Sequence, residues 1–357
     1  NGLINTQFYK ERAKGGDSQT YIKAKNTESQ IHCLTAKDNP QAVSRFCLAK
    51  GTEVVMFDGT LEKVEDLIVG EQLMGIDSTP RNIRQITSGV DEMYRISSKG
   101  TEDFVCNSEH LLYCYHKPQK RKKDINKYGL YIQNNFNDPD IIPVDDLHFL
   151  IKAKDYYKKS KTFKKNTLIE KSRGIEFQEK EVLIDPYFLG VWLGDGDSEA
   201  IRITSMDDEI ESYLEGFAEK NNLRLKKSKQ INPINKELSK AKRFGLSEAP
   251  RNKKGGIRIK SDIKESFRHY NLFNDKHIPD EYKYNSREIR LQVLAGLLDT
   301  DGWKNKNGYG FAQVNKGIVD DVKYICQSLG FSVNVSHRGN GSINGYLSQK
   351  IYSLYIY

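Results

Sequence analysis

Two aspartates end two similar apolar segments of the chain. The segments read Phe188-Leu-Gly-Val-Trp-Leu-Gly-Asp-Gly196 and Leu294-Ala-Gly-Leu-Leu-Asp-Thr-Asp-Gly302, which places Asp195 and Asp301 106 positions apart. A near repeat at this distance predicts two half-domains that bring the two carboxylates together. Carboxylate pairs bind divalent cations, usually Mg²⁺, and such sites cleave phosphodiesters. The alternative is two ordinary buried helices with aspartate at their ends by accident, and the repetition favours the metal site.

The two segments are predicted to be helices that pack closely. Gly190 and Gly194 are four residues apart, and Gly296 and Thr300 repeat that spacing, so small side chains share one helical face. Such a face lets two helix backbones approach each other. Each aspartate then falls in the last turn, before a glycine that can adopt a left-handed cap. The negative end of the helix dipole disfavours a carboxylate there, and the two carboxylates repel each other. A bound cation would offset both effects.

The pair of segments resembles the two motifs of the LAGLIDADG homing endonucleases. The second copy departs from the motif only at Leu298 and Thr300, and the first copy is more divergent. The resemblance implies an endonuclease that cuts both strands of a long, specific DNA site as a monomer, with Mg²⁺ on the last aspartate of each motif. It also implies lysines near the metal, at the positions of Lys276 and Lys350. The implied fold has two pseudo-symmetric αββαββα halves, at about 182–285 and 286–357, with the second truncated.

A second resemblance lies upstream. Phe46-Cys47-Leu-Ala-Lys-Gly-Thr-Glu-Val54 resembles the first block of an intein, and Phe104-Val-Cys-Asn-Ser-Glu-His-Leu111 resembles the second block. The family usually has Thr-x-x-His in that second block, whereas this chain has Asn107 in the Thr place and a matching His110. The resemblance implies that Cys47 attacks the preceding carbonyl, that His110 donates a proton to the leaving nitrogen, and that Asn107 holds the scissile bond. The alternatives are a buried structural cysteine and a histidine satisfied within the fold.

The two resemblances together predict a multidomain chain: an all-β Hint (intein) domain followed by the α/β endonuclease. We expect residues 1–46 to be a flanking piece of the host protein (the extein), 47–116 the first part of the Hint domain, 117–181 a basic linker or DNA-recognition region, and 182–357 the endonuclease. The last splicing block, which ends in His-Asn, is absent before Tyr357. We therefore expect a truncated intein in which splicing is incomplete.

Charge supports a nucleic-acid partner. The 357-residue chain has net charge +8, and the stretch from Lys220 to Lys260 has 14 Lys/Arg against two acidic residues. Basic residues at alternate positions in Arg224–Lys229 and Ile257–Lys260 would line one face of a strand, as a DNA-binding sheet requires. A solvated, Lys-rich surface is the alternative. The apolar runs are too short to span a membrane, and five cysteines without a Cys-x-x-Cys pair favour reduced thiols in an intracellular protein, in the cytoplasm or nucleus.

Two other functions stay open at this point. One is a free-standing endonuclease of the mating-type-switching kind, which keeps an intein-like region without splicing. The other is a nucleic-acid-binding or maturase relative with an inactive nuclease. The presence of both motif aspartates favours an active nuclease.

Overall fold

A computed structural model of the chain describes residues 20–25, 31–34, 47–98, 103–116, 138–144, 147–170, 174–231, 238–248, 263–338, 342–343, 346–347 and 350–357. The described residues divide into two compact units, one that ends at Ile175 and one that begins at Glu176. No helix in the described ranges has both the length and the apolar character needed to cross a membrane. The predicted basic strand at 257–260 lies outside these ranges.

The amino-terminal unit begins with short strands, as its runs of β-branched and apolar residues between turn residues predict. The strands are β1 (Thr20–Lys25), β2 (Ile31–Leu34), β3 (Cys47–Ala49), β4 (Glu53–Val55), β5 (Leu61–Lys63), β6 (Gln72–Met74), β7 (Pro80–Asn82), β8 (Ile86–Gly89), β9 (Met93–Ser98) and β10 (Phe104–Asn107). Six of them form a sheet of order β1-β9-β10-β3-β2-β8, while β4 pairs with β5 and β6 with β7. A turn at Asp58 and Gly59 joins β4 to β5, and Gly59 takes a φ of 100° there. β1 and β2 belong to the segment expected to flank the domain, and they pair inside its sheet.

The Lys-rich region also contains regular structure. It holds β12 (Ile141–Pro143), β13 (His148–Lys152), α1 (Ala153–Lys158), α2 (Lys161–Asn166) and β14 (Thr167–Ile169), which follow β11 (Leu111–His116). These strands form a second sheet, of order β12-β13-β11-β14. The boundary expected at residue 116 therefore passes through a sheet. Phe149 and Ile151 are fully buried, so a short apolar alternation is present among the lysines that dominate the composition. Residues 117–137 lie outside the described ranges.

The first half of the carboxyl-terminal unit follows the predicted αββαββα order except for its first strand. It consists of α3 (Pro186–Asp195), β15 (Arg202–Ser205), α4 (Asp208–Lys220), β16 (Leu223–Ile231), β17 (Leu238–Glu248) and α5 (Ile263–His269). Its strands form an antiparallel sheet of order β15-β17-β16. After the motif helix α3, this half has only an isolated antiparallel β-bridge between Gly196 and Ile203, whereas the second half has a full strand after its motif helix.

The second half repeats the plan. It consists of α6 (Asp280–Lys283), α7 (Arg287–Asp301), β18 (Gly302–Asn305), β19 (Gly308–Gln313), α8 (Lys316–Ser328), β20 (Val333–Arg338), β21 (Ser342–Ile343), β22 (Tyr346–Leu347) and β23 (Ile351–Ile356). Four strands form a sheet of order β18-β19-β23-β20. The α/β architecture predicted from the two motifs is therefore confirmed.

The two halves share one hydrophobic core. Phe188, Trp192, Leu294 and Leu297, which belong to the motif helices α3 and α7, are fully buried within it. A helix that is apolar on all sides is stable only when protein covers every face. The continuous apolar character of the two motifs thus follows from their place between the halves.

Candidate functional site

The contact between α3 and α7 is made by backbone atoms. A Cβ added to Gly296 would lie 2.3 Å from the carbonyl oxygen of Tyr187, and one added to Gly190 would lie 2.3 Å from the carbonyl oxygen of Val293. One turn later, a Cβ on Gly194 would lie 2.1 Å from Thr300 Oγ1. Real Cβ atoms do not approach this closely, so glycine is required at Gly190 and Gly296, where the opposing atoms belong to the backbone. The close packing predicted from the spacing of the small residues is confirmed.

The left-handed caps predicted after the two aspartates are wrong. Gly196 has φ −80° and ψ 156°, and Gly302 has φ −99° and ψ 167°, so both are extended. Glycine is needed there for space, because an added Cβ would lie 2.1 Å from the carbonyl oxygen of Trp192 or 2.4 Å from that of Leu298. The chain therefore leaves each helix directly toward a strand. Ser286 occupies the N-cap of α7, but its side chain makes no capping hydrogen bond.

Asp195 and Asp301 lie together at the ends of these helices. Both are partly buried, and an added Cβ on the neighbouring Gly194 would lie 3.5 Å from Asp301 Oδ2. Burial, together with repulsion from Asp301, raises the pKa of Asp195 to about 6. Burial also raises the pKa of Asp301. Two carboxylates held together at a cost in free energy provide a site that favours a cation.

Lys276 lies beside this pair, but its ammonium group is used locally. Its Nζ donates to the backbone carbonyls of Gly196 (2.7 Å), Leu193 (3.1 Å) and Gly194 (3.4 Å), and it lies 5.1 Å from the ring centre of Trp192. Desolvation lowers its pKa, against the attraction of the aspartates. No ion pair within 4.0 Å joins it to either carboxylate in the described ranges. Lys276 therefore caps the end of α3 next to Asp195.

Two residues that sequence reasoning missed contact the carboxylates or influence their charge. Gln313, at the end of β19, donates through Nε2 to Asp301 Oδ2 at 2.7 Å. Asp207, the N-cap residue of α4, contributes to the raised pKa of Asp195 through repulsion. A glutamine at a strand end and an aspartate at a helix start carry no periodic signal, so the sequence alone did not single them out.

The other acidic residues near the motifs have different partners, and Lys350 lies beside an aromatic ring. Asp299 accepts from Tyr187 Oη at 2.8 Å, and Asp197 pairs with Arg202 at 2.5 Å. Lys350, a predicted site residue, is exposed, and its Nζ lies 5.1 Å from the ring centre of Tyr352. Among the described residues, no group of three or more His, Cys, Asp or Glu side chains is arranged to hold a metal.

The basic strands divide their charges between two faces of the sheet. Leu225 and Lys227 on β16 lie on the same face as the buried Phe244 of β17, while Arg224 and Lys226 lie on the opposite, exposed face. Lys227 pairs with Glu211 and Glu215 of α4, and Lys242 also pairs with Glu211. The prediction that the basic residues share one exposed face is therefore correct for Arg224 and Lys226, but not for Lys227, which is paired with α4.

In the amino-terminal unit, the structure joins two of the three predicted residues, Cys47 and Asn107, by a hydrogen bond. The backbone N–H of Cys47 donates to Asn107 Oδ1 at 3.1 Å, across the pairing of β3 with β10. His110 follows β10 directly, and its Nδ1 is buried without a hydrogen-bond partner in the described part of the chain. Burial lowers the pKa of His110 to about 4, so the imidazole is neutral at pH 7.

The expectation of reduced thiols holds for three cysteines and is wrong for Cys47. Cys106, Cys114 and Cys326 are free and buried, whereas Cys47 takes part in a disulfide. The backbone register places Cys47 opposite Cys33 on antiparallel strands, a separation that cysteine pairs can bridge. Reduction must therefore precede any reaction of the Cys47 thiol.

Comparison with known families matches both units. A family model described as Hom_end-associated Hint matches residues 47–133, and one described as LAGLIDADG-like domain matches residues 288–355. The chain joins a Hint domain to a LAGLIDADG domain. It thus has the domain composition of an intein that encodes a homing endonuclease, as the two motif resemblances implied.

The chain is also similar to segments of two much longer proteins. It is 31% identical over 172 residues to the replicative DNA helicase DnaB of Mycobacterium intracellulare, which is 48% of this chain and 23% of that protein. It is 34% identical over 76 residues to the catalytic subunit of the V-type proton ATPase of Candida tropicalis, which is 18% of this chain and 7% of that protein. The chain thus spans less than a quarter of either relative's length.

Among solved structures, the fold is similar to that of the homing endonuclease I-DmoI. One structure is of mesophilic variants (14% identity) and another is a complex with DNA and Mn (15% identity). Both give a TM-score of 0.32 and cover 49% of this chain, and the chain covers 88% and 89% of theirs.

Proposed function

We propose that the LAGLIDADG domain cuts both strands of a specific DNA site in a reaction that depends on a divalent metal ion. The observation that carries this proposal is the juxtaposition of Asp195 and Asp301 across a helix contact too close for any side chain larger than glycine. Such a contact fixes the two carboxylates relative to each other. Fixed geometry is what positioning of a phosphodiester against water requires.

The donor set fits Mg²⁺. The carboxylates supply hard oxygen ligands, burial and repulsion disfavour their charged forms, and the nearby ammonium of Lys276 is bound to carbonyl oxygens. Two carboxylates leave room in an octahedral shell for water and phosphate oxygens. A cation held there would stabilise the negative charge that develops on the phosphate.

The chain's own residues supply the rest of the arrangement. Gln313 fixes the orientation of Asp301 by its hydrogen bond, and Lys276 fixes the end of α3 that carries Asp195. The ammonium of Lys276 also places positive charge near the site. We include Lys350 as a phosphate-binding residue at the rim, because it is exposed and basic.

The partner we propose is duplex DNA. Arg224 and Lys226 present exposed positive charge on the outer face of the first sheet, where they can contact phosphates. On the second sheet, alternation places Trp303 and Tyr355 on the outer face, with ring centres 6.2 Å apart, and Trp303 Nε1 donates to Asn305 at 3.1 Å. Aromatic and amide groups suit contacts with base edges and sugars.

The decisive experiment uses Asp195→Asn and Asp301→Asn in the full chain. Each variant and the parent would be incubated with a library of duplex DNA sites, with Mg²⁺ and with a chelator, and the cut sites would be sequenced. We expect the parent to cut with Mg²⁺ only, and each variant to bind the same sites without cutting. Asp320→Asn, an exposed aspartate of α8, is the matched control and should cut normally. Normal cutting by either site variant would refute the assignment.

For the Hint domain we propose a self-processing reaction at the bond between Phe46 and Cys47. The thiol of Cys47 adds to the carbonyl carbon of Phe46, and the bond from that carbon to the Cys47 nitrogen breaks, which leaves a thioester and a free amine. His110 is neutral, so it can take the thiol proton and pass it to the nitrogen. Asn107 accepts a hydrogen bond from that nitrogen. The flanking host protein in cis is the substrate of this reaction.

The test is thiol-induced cleavage after Phe46. The parent chain, treated with dithiothreitol to reduce Cys47 and trap the thioester, should release residues 1–46. Cys47→Ala should not release them. Release at the same rate from Cys47→Ala would remove Cys47 from the reaction.

A further inference from the structure

The side chain of Asp91 lies behind the site in the Hint domain, on the far side of Asn107 from Cys47. Its Oδ2 accepts from Asn107 Nδ2 at 3.1 Å and from Ser108 Oγ at 3.0 Å, while its Oδ1 accepts from the backbone N–H of Glu92 at 2.7 Å. Asn107 is 5% exposed, and the bonds from Asn107 and Ser108 to Asp91 are partly buried. Three donors hold the carboxylate in a fixed orientation.

A chain of hydrogen bonds therefore runs from Asp91 through Asn107 to the nitrogen of the scissile bond. Asn107 uses its amide N–H group toward Asp91 and its oxygen toward the Cys47 N–H. If the Asn107 amide were rotated by half a turn, its NH₂ group would face the N–H of Cys47, and both are donors. Its oxygen would face the carboxylate of Asp91, and both are acceptors. The Asp91 carboxylate thus selects the orientation in which Asn107 is an acceptor.

We propose that Asp91 is the positioning residue that lets asparagine serve at a place where this family usually has threonine. A threonine hydroxyl rotates to suit its partner and both donates and accepts, so it needs no external orientation. An asparagine amide presents its acceptor only in one of two orientations. Asp91 supplies the missing constraint, and this inference rests on the self-processing reaction proposed above.

The orientation matters because the Cys47 nitrogen changes character in the reaction. It begins as a planar amide and becomes an amine that gains the thiol proton, so positive charge develops on it as the bond to carbon breaks. A hydrogen bond to a charged donor is stronger than one to a neutral donor. An acceptor already held in place therefore stabilises the transition state more than the ground state. No oxidant is consumed, and reductant is needed only to free the thiol beforehand.

The test is a double-mutant cycle on thiol-induced cleavage after Phe46 in the full chain. In the parent, Asp91→Asn should slow cleavage by about 10- to 100-fold, the range expected for one hydrogen bond to a charged group. In the Asn107→Thr background, the same change should alter the rate by less than about twofold, because the hydroxyl orients itself. Equal slowing in both backgrounds, or no slowing in the parent, would overturn the proposal.

Controls separate positioning from general damage. Asp77→Asn removes a carboxylate that also caps a turn, through Thr79 and Arg81, but lies away from Asn107, and it should cleave at the parental rate. Ser108→Ala removes one of the three donors to Asp91 but keeps the bond between Asp91 and Asn107, so it should slow cleavage less than Asp91→Asn does. If Asp91→Asn fails to fold, Asp91→Glu displaces the carboxylate by one methylene and carries the same expectations.

A spectroscopic readout checks the geometry without cleavage. In the unreactive Cys47→Ala chain, the amide proton of residue 47 should move upfield on Asp91→Asn substitution, because its acceptor is no longer fixed. An unchanged shift would overturn the proposal. The parent could fail to cleave with dithiothreitol while the amide proton shift of residue 47 still responds to Asp91→Asn. That result would refute the self-processing reaction but would support the hydrogen-bond chain from Asp91 to Cys47.

Discussion

The substitution Gly296→Ala tests the contact that the whole LAGLIDADG site depends on. The added Cβ would lie 2.3 Å from the carbonyl oxygen of Tyr187 and 2.7 Å from the backbone nitrogen of Val191. Ordinary contacts begin at 3.4 Å, so the shortest contact is about 1.1 Å too close. Both opposing atoms belong to the backbone of α3 and cannot rotate away. The two motif helices must therefore separate.

The magnitude follows from overpacking. Inserting a methyl group into a well-packed core costs about 1–3 kcal/mol, and backbone opposition puts this case at about 3 kcal/mol. For a unit of this size, each kcal/mol lowers the melting temperature by about 2–4 °C, so we expect a fall of about 6–12 °C. Separation of the helices by about 1 Å also displaces Asp195 from Asp301, which should reduce cleavage by about 100-fold.

Thermal unfolding and DNA cleavage of the variant would be compared with those of Gly216→Ala. Gly216 lies exposed on α4 with open space around its Cβ position, so alanine there should stabilise the helix by up to about 1 kcal/mol. If Gly296→Ala melts within about 2 °C of the parent and cuts DNA normally, the backbone contact is not what positions the carboxylates.

Three further outcomes are expected. DNA binding would be followed by fluorescence anisotropy at several salt concentrations. Lys226→Ala should reduce the slope of log binding constant against log salt concentration by about 1. Lys227→Ala should leave that slope unchanged, because the ammonium of Lys227 is paired with α4. The pKa of His110 is about 4 in the folded chain and about 6.5 in the unfolded chain. The neutral imidazole therefore stabilises the folded chain above pH 6.5, and as the pH falls toward 4 the free energy of unfolding should decrease by about 3 kcal/mol. Urea unfolding of the parent and of His110→Gln at pH 7.5 and 4.5 should show that loss in the parent only. Lys276→Met should lower unfolding stability by about 1–3 kcal/mol as well as cleavage, because it leaves three carbonyls at the end of α3 without their donor; unchanged melting would mean that the lysine has no capping role.

The helix contact could be predicted from sequence because it is encoded locally. Gly190 and Gly296 have no side chain, and their spacing within each motif states directly that backbone must approach backbone. The conformation of Gly196 could not be predicted in the same way. Glycine permits both a left-handed cap and a tight approach, and only the folded chain shows that the Trp192 carbonyl occupies the space of a Cβ.

The elements between residues 141 and 169 were harder to predict because their partner is distant in sequence. β13 is stabilised by pairing with β11, which precedes it by more than 30 residues, and the many lysines between them suggest solvent exposure. The ion pairing of Lys227 also depends on a partner that is distant in sequence. Alternation correctly places it opposite Lys226, but only the position of Glu211 on α4 shows that its charge is already paired.

The residues around the carboxylates show where repetition in the sequence stops being informative. Both motif helices end in an aspartate, but the two aspartates have different neighbours. Asp301 accepts a hydrogen bond from Gln313, whereas Asp195 is repelled by Asp207 and lies next to the helix end that Lys276 caps. A motif that repeats can predict that two carboxylates meet. It cannot predict the side chains that orient each one, because these come from strands and loops that differ between the halves. The two carboxylates are therefore chemically unequal.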